Sequence, residues 1–150
     1  MITKTAVENF VAQRTLAVVG ASRDGKKFGN MAFKALRDKG YRVFPVNPGA
    51  QMIEGEHCYP NLLSLPERVD NVLVVVPPAE TERVVREAAA AGVRRVWLQQ
   101  GAASEAAIRF CEAHDMEVVH GECILMFAQP VASFHKWHRW VWKALGKLPR

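Results

Sequence analysis

Five apolar runs, separated by segments of a different periodicity, constrain this chain more than any other feature of it. They are TLAVVGA from Thr15, RVFPVNP from Arg42, NVLVVVPP from Asn71, RRVWLQQG from Arg94 and EVVHGEC from Glu117. Short, near-continuous apolar runs suit strands covered on both faces. Between them, Phe28, Ala32, Ala35 and Leu36 recur at helical spacing until Gly40. AETERVVREAAAAG reads as a helix ending at Gly92, and SEAAIRFCEAHD as a helix with Ser104 at its N-cap. Strand and helix in alternation require parallel pairing through right-handed crossovers. The expected fold is α/β: a Rossmann-like, doubly wound, mainly parallel five-stranded sheet with helices on both faces. The strand order is expected to be 3-2-1-4-5.

Two places strain that pattern. Pro45 removes a ladder donor from the second strand, which suggests a free side or a local irregularity there. From Asn47 to Asp70 only LLSL resembles a helix, so that crossover is the least defined. At 150 residues the chain is expected to be one domain, with a core over about 15–123 and a basic helical tail over about 131–148. MITKTAVENFVAQ reads as a short helix rather than a signal peptide, because Glu8 and other polar residues interrupt it. With no apolar run near the roughly 18 residues of a membrane span, a cytoplasmic location is expected. Cys58, Cys111 and Cys123 are an odd set at wide spacing, unlike a secreted disulfide framework.

In a sheet of this kind, ligands bind outside the carboxyl ends of the strands, where the order reverses. That rule selects Gly20, Ala21 and Ser22 after the first strand, and Asn47 and Pro48 after the second. It adds Val76, Pro77 and Pro78 after the third, and Gln99, Gln100 and Gly101 after the fourth. In VVGASRDGKKFG, the three glycine positions of a dinucleotide fingerprint fall on Gly20, Ser22 and Gly25. The serine hydroxyl would replace the close backbone approach of a second glycine. Arg23, Lys26 and Lys27 precede a helix starting near Gly29, and a helix N-terminus with added cations favours a polyanion. An NAD site would place an acid about 20 residues on. Here Asn47 and Pro48 stand at that point, and the first acid is Glu54. A neutral amide tolerates a phosphorylated ribose, so the residues favour a polyanionic nucleotide over NAD.

VVGAS, Lys27-Phe28-Gly29, GYRVFPVNP, VPP, VWLQQGA and Cys123, in this order, resemble the small stand-alone CoA-binding domain proteins. Those proteins are relatives of the nucleotide-binding half of the succinyl-CoA synthetase alpha subunit. The resemblance runs from about Thr15 to Cys123. It implies coenzyme A or an acyl-CoA as ligand, with Gly20, Ala21, Ser22 and Lys27 at its phosphates. It further implies Asn47 and Pro48 near the adenosine, and Pro77, Gln99 and Gly101 along the crevice. The synthetases use a phosphorylated histidine on a second domain, which 150 residues are not expected to hold, so their ligase chemistry is not carried over. The expected role is a non-catalytic carrier, sensor or regulator. The alternatives are a subunit of an acyl-CoA ligase or transferase-like enzyme, and an NAD(H)-binding redox sensor.

Other motifs are weaker. Cys111 with His114 and His120 with Cys123 have the spacing of half zinc sites, but they lie at opposite ends of the fifth strand, so no metal is expected. Cys123 stands near the expected crevice, where the alternatives are exchange with a CoA thiol and simple packing. Its neighbour is Glu122 rather than a cation, so a packed, inert thiol is the default. There is no nucleophile elbow and no P-loop, since neither G-x-S-x-G nor GK[ST] occurs after the first strand.

The net charge of +5 belongs to the tail. Lys136, Arg139, Lys143, Lys147 and Arg150 stand there without any acid, leaving 15 basic and 15 acidic residues elsewhere. That distribution argues against nucleic acid as the partner of the whole domain. Phe134, Trp137, Val141, Leu145 and Leu148 form an apolar face on the same tail, expected to pack on the domain, across a homodimer, or against an acidic partner.

Overall fold

The computed structural model describes residues 4–22, 25 and 27–128. Arg23, Lys26 and the tail helix expected over 131–148 lie outside the described residues. The elements run α1 (Lys4–Ala12), β1 (Thr15–Val19), α2 (Phe28–Asp38), β2 (Arg42–Val46), β3 (Met52–Ile53), β4 (Glu56–His57) and β5 (Asn71–Val74). There follow α3 (Pro78–Ala90), β6 (Arg95–Leu98), α4 (Glu105–Ala113) and β7 (Glu117–His120). Ser104 caps α4, its hydroxyl accepting from the Ala107 amide at 3.1 Å.

The five long strands form one sheet of order β2-β1-β5-β6-β7 with every pair parallel. In strand count this is 2-1-3-4-5, not the expected 3-2-1-4-5. Burial explains the difference. All four residues of β5 are buried, and a strand covered on both faces belongs inside the sheet. β2 begins exposed and contains Pro45, and proline is tolerated at an edge. The outer side of β2 is not left bare: the Tyr59 amide donates to the Pro45 carbonyl at 3.0 Å, and the Asn47 amide to the Tyr59 carbonyl at 2.9 Å. The order therefore reverses between β1 and β5, and the crevice opens there.

Alternate residues of each strand point to opposite faces, and each face has its own core. Leu16, Val18, Leu73, Trp97 and Val119 pack with Val7 and Phe10 of α1, and with Phe33 and Leu36 of α2. Trp97 is fully buried, with Phe10 edge-on at 5.3 Å and its indole N–H donating to the Glu122 carbonyl at 2.9 Å. Val19, Val72, Val74, Val96 and Leu98 pack with Val84, Val85 and Ala88 of α3 and with Ala107 and Cys111 of α4.

The crossover from β2 to β5 carries no α-helix. It consists of the β3–β4 hairpin and one 3-10 turn, Leu62–Ser64, capped by Asn61. Strands of two residues are too short to show a period, which is why the hairpin escapes a search for alternation. No helix among the described residues is long and apolar enough to cross a membrane.

Candidate functional site

The turn after β1 is shaped by two glycines and one buried asparagine. Gly20 has φ of +124°, and a Cβ there would lie 2.5 Å from the Val75 carbonyl oxygen, so only glycine lets the chain leave β1 in this direction. The glycine needed for close packing of helix on strand is Gly29, not Gly25. A Cβ on Gly29 would meet the Ala21 amide nitrogen at 2.9 Å, whereas one on Gly25 would meet only the Glu54 carboxylate at 3.5 Å. The fingerprint is thus stretched by four residues, a correction to the position expected from the sequence.

Asn30 sits in the first turn of α2 with no solvent exposure. Its amide oxygen accepts from the Ser22 backbone N–H at 2.8 Å, and its amide nitrogen donates to the Ser22 carbonyl at 2.6 Å. The same nitrogen donates to Glu54 Oε2 at 3.0 Å. Both ends of one side chain are therefore spent on holding the loop, as a buried amide requires. The cap residue of α2 is Lys27, and among the described residues no side chain makes a cap hydrogen bond to this helix end. The first turn of a helix left in this state carries amides and a positive end that suit an anion.

A cleft of about 180 Å³ opens above this turn. Gly20, Ser22 and Lys27 form one wall, Asn47 and Pro48 a second, and Val76, Pro77, Glu80 and Arg83 a third. Among the described residues its charged side chains are Lys27, Arg83 and Glu80, two cations and one carboxylate. Asn47 also ties the strand ends together: its amide nitrogen donates to the Ala21 carbonyl at 2.9 Å and its oxygen accepts from the Gly49 amide at 2.7 Å. Glu54, the first acid after β2, does not face the cleft as a ribose-binding carboxylate would. It is held by Asn30 and by Lys34, whose Nζ lies 3.7 Å away.

Of the residues expected at the site, Gly20, Ser22, Lys27, Asn47, Pro48, Val76 and Pro77 share this cleft. Ala21 is buried and contributes its carbonyl to Asn47. Gln99 is buried, and its side-chain oxygen accepts from the Ile124 amide at 3.1 Å, so it braces the turn after β7. Pro78, Gln100 and Gly101 are exposed and outside the cleft walls. The sequence does not single out Asn30 or Arg83, and it shows Gly29 and Glu54 without their roles. An asparagine placed at the start of a helix, next to a glycine turn, was the available signal for the first of them.

Burial pushes the thiols of Cys58 and Cys111 up, the latter to about 12, which keeps both protonated at neutral pH. Burial pulls the His120 imidazole down. His114 closes α4, stacked on Phe110 with Nδ1 2.9 Å from the Phe110 carbonyl. Among the described residues no three His, Cys, Asp or Glu side chains gather as a metal site. A larger hollow of about 300 Å³ lies along the outer edge of β2, walled by residues such as Arg37, Phe44 and His57. It runs along β2, on the side of the sheet away from the reversal of strand order.

The family model described as the CoA binding domain matches residues 14–129. The chain belongs to that family. This CoA-binding domain is 28% identical over 136 residues to an acetate–CoA ligase (ADP-forming) I of Archaeoglobus fulgidus, covering 84% of the chain and 20% of the ligase. It therefore spans about a fifth of that relative's length. A conserved hypothetical protein of Pyrococcus furiosus superposes with a TM-score of 0.71 at 44% identity, over 75% of this chain and 97% of the other. A hypothetical protein of Pyrococcus horikoshii superposes with a TM-score of 0.76 at 28% identity, over 83% and 88%. The family's fold is thus found both as a short protein and as one part of a ligase.

Proposed function

We propose that the cleft between β1, β2 and β5 binds coenzyme A or an acyl-CoA, and that the protein acts as a non-catalytic carrier, sensor or regulator in the cytoplasm. The observation that carries the proposal is the N-terminus of α2, where the cap residue Lys27 makes no side-chain cap hydrogen bond, beside Ser22, which Asn30 holds by both its N–H and its carbonyl. A diphosphate set against that helix end meets backbone donors in fixed positions and pays little for ordering them. The nucleoside would extend toward Asn47 and Pro48, and the pantetheine would leave over the open side, since about 180 Å³ cannot enclose the whole molecule. The retirement of Glu54 to Asn30 and Lys34 supports CoA over NAD(H) at the end of β2.

Calorimetry on the full chain with CoA, acetyl-CoA and NADH tests this reading. Micromolar binding of CoA with NADH silent is the expected outcome; NADH binding with CoA silent overturns it. A second reading, a subunit of an acyl-CoA ligase, is favoured by the similarity to the A. fulgidus enzyme. It requires a stable complex with a second polypeptide and turnover of acyl-CoA, neither of which a carrier would show.

A further inference from the structure

Arg83 stands on the wall of the cleft opposite the phosphate turn, and nothing in the fold needs it there. α3 carries Arg83 and Arg86 three residues apart, and the two are used differently. Arg86 makes two hydrogen bonds to Glu82, at 3.0 and 2.8 Å, and its guanidinium lies 4.6 Å from the centre of the Phe110 ring. Arg83 has an ion pair with Glu80 at 3.7 Å, with the two side chains 62% and 52% exposed. A pair so long and so wet holds neither partner firmly. Arg83 and Glu80 both line the cleft, whereas Arg86 does not.

Resting on the CoA reading above, we infer that Arg83 reads the 3′-phosphate of the ribose and so separates coenzyme A from nucleotides lacking that group. The diphosphate takes the helix end at Lys27, and a nucleoside over Asn47 and Pro48 lies between the ends of β2 and β5. The helix that follows β5 is α3, so a second, separate phosphate on that nucleoside faces the α3 wall. A guanidinium suits a terminal phosphate because two parallel N–H donors match two of its oxygens. Glu80 then has a definite part: its loose pairing leaves the guanidinium free to turn to a dianionic phosphate, while its carboxylate repels an anion that Arg83 does not neutralise.

The test compares CoA with 3′-dephospho-CoA by calorimetry on the full chain and its Arg83→Gln and Arg83→Lys variants, with Lys27→Ala as the control. The wild-type protein is expected to prefer CoA. Arg83→Gln should weaken CoA by about ten- to a hundredfold, the range of a charge-assisted hydrogen bond, and change dephospho-CoA by less than about twofold. Arg83→Lys should recover part of the preference, since it keeps the charge and loses the fork. Lys27→Ala should weaken both ligands alike. Equal wild-type affinity for the two ligands, or an Arg83→Gln protein that keeps its preference or loses both equally, overturns the inference and leaves the CoA reading standing. A wild-type protein that binds neither ligand overturns both. Arg83 is an exposed helix residue, so an unchanged thermal melt of the variants is expected.

Discussion

The two ends of the parallel sheet are built on opposite principles. At the amino ends of the strands, polar side chains are consumed by the protein itself. Asn71 is fully buried and donates to the Phe10 carbonyl at 2.9 Å, and Arg95 reaches it with one guanidinium nitrogen at 3.4 Å while holding Glu117 at 3.1 Å. Asn9 adds a contact to Glu117 at 3.3 Å, and the Tyr41 hydroxyl donates to the Val11 carbonyl at 2.7 Å. These contacts lock α1 and the start of α2's return strand beneath the sheet. At the carboxyl ends the polar groups are arranged around a space. Asn30 spends its amide on Ser22, Lys27 at the helix end makes no side-chain cap hydrogen bond, and Arg83 on the opposite wall has only a long, exposed ion pair with Glu80. One end is closed by the chain's own hydrogen bonds; the other is left as an open cleft.

That contrast can be broken at three points. The largest effect is expected from Gly20→Ala. A Cβ 2.5 Å from the Val75 carbonyl on a backbone at φ +124° must displace either β5 or the turn, at a cost of about 3 kcal/mol or more, with CoA binding lost as well. Chemical denaturation with a parallel CoA titration reads both losses; a protein of ordinary stability that still binds CoA would show that the turn is not tightly specified. Next is Asn71→Ala at the opposite end, which removes a buried hydrogen bond to the Phe10 carbonyl, leaves that oxygen only the Gln13 amide at 3.2 Å, and should cost about 1 kcal/mol. Its affinity for CoA should stay within about twofold, and a large fall in affinity would mean that the two ends are coupled. The smallest effect on the fold is expected from Lys27→Ala, an exposed residue whose loss should leave stability within about 0.5 kcal/mol. CoA affinity should nevertheless drop about tenfold, and the deficit should shrink as salt is raised. A Lys27→Ala protein with unchanged affinity would remove the cation from the account of the site.

Much of the fold can be read from the chain. Runs such as Asn71–Val74 declare a strand buried on both sides, and the spacing of Phe28, Ala32, Ala35 and Leu36 declares α2, because burial imposes a period on local sequence. Ser104 announces the start of α4 for a similarly local reason, since the side chain bonds to an amide three residues away. The strand order was misjudged. Whether the third strand pairs outside β2 or inside beside β1 depends on the return path of the crossover, and no local period encodes it.

The site divides in the same way. That a glycine turn after β1 leads into a helix, with Lys27 at its cap and Asn47-Pro48 after β2, follows from the order of residues along the chain. That Asn30 holds Ser22, that Gly29 rather than Gly25 allows the close approach, and that Glu54 is bound to Asn30 outside the cleft are facts of tertiary structure. So is the arrival of Arg83 on the opposite wall. The chain alone determines which backbone segments can form, because their causes act over a few residues. Which side chains meet across the cleft is decided by packing between elements tens of residues apart, where one wrong neighbour in the sheet would have assembled a different set of walls.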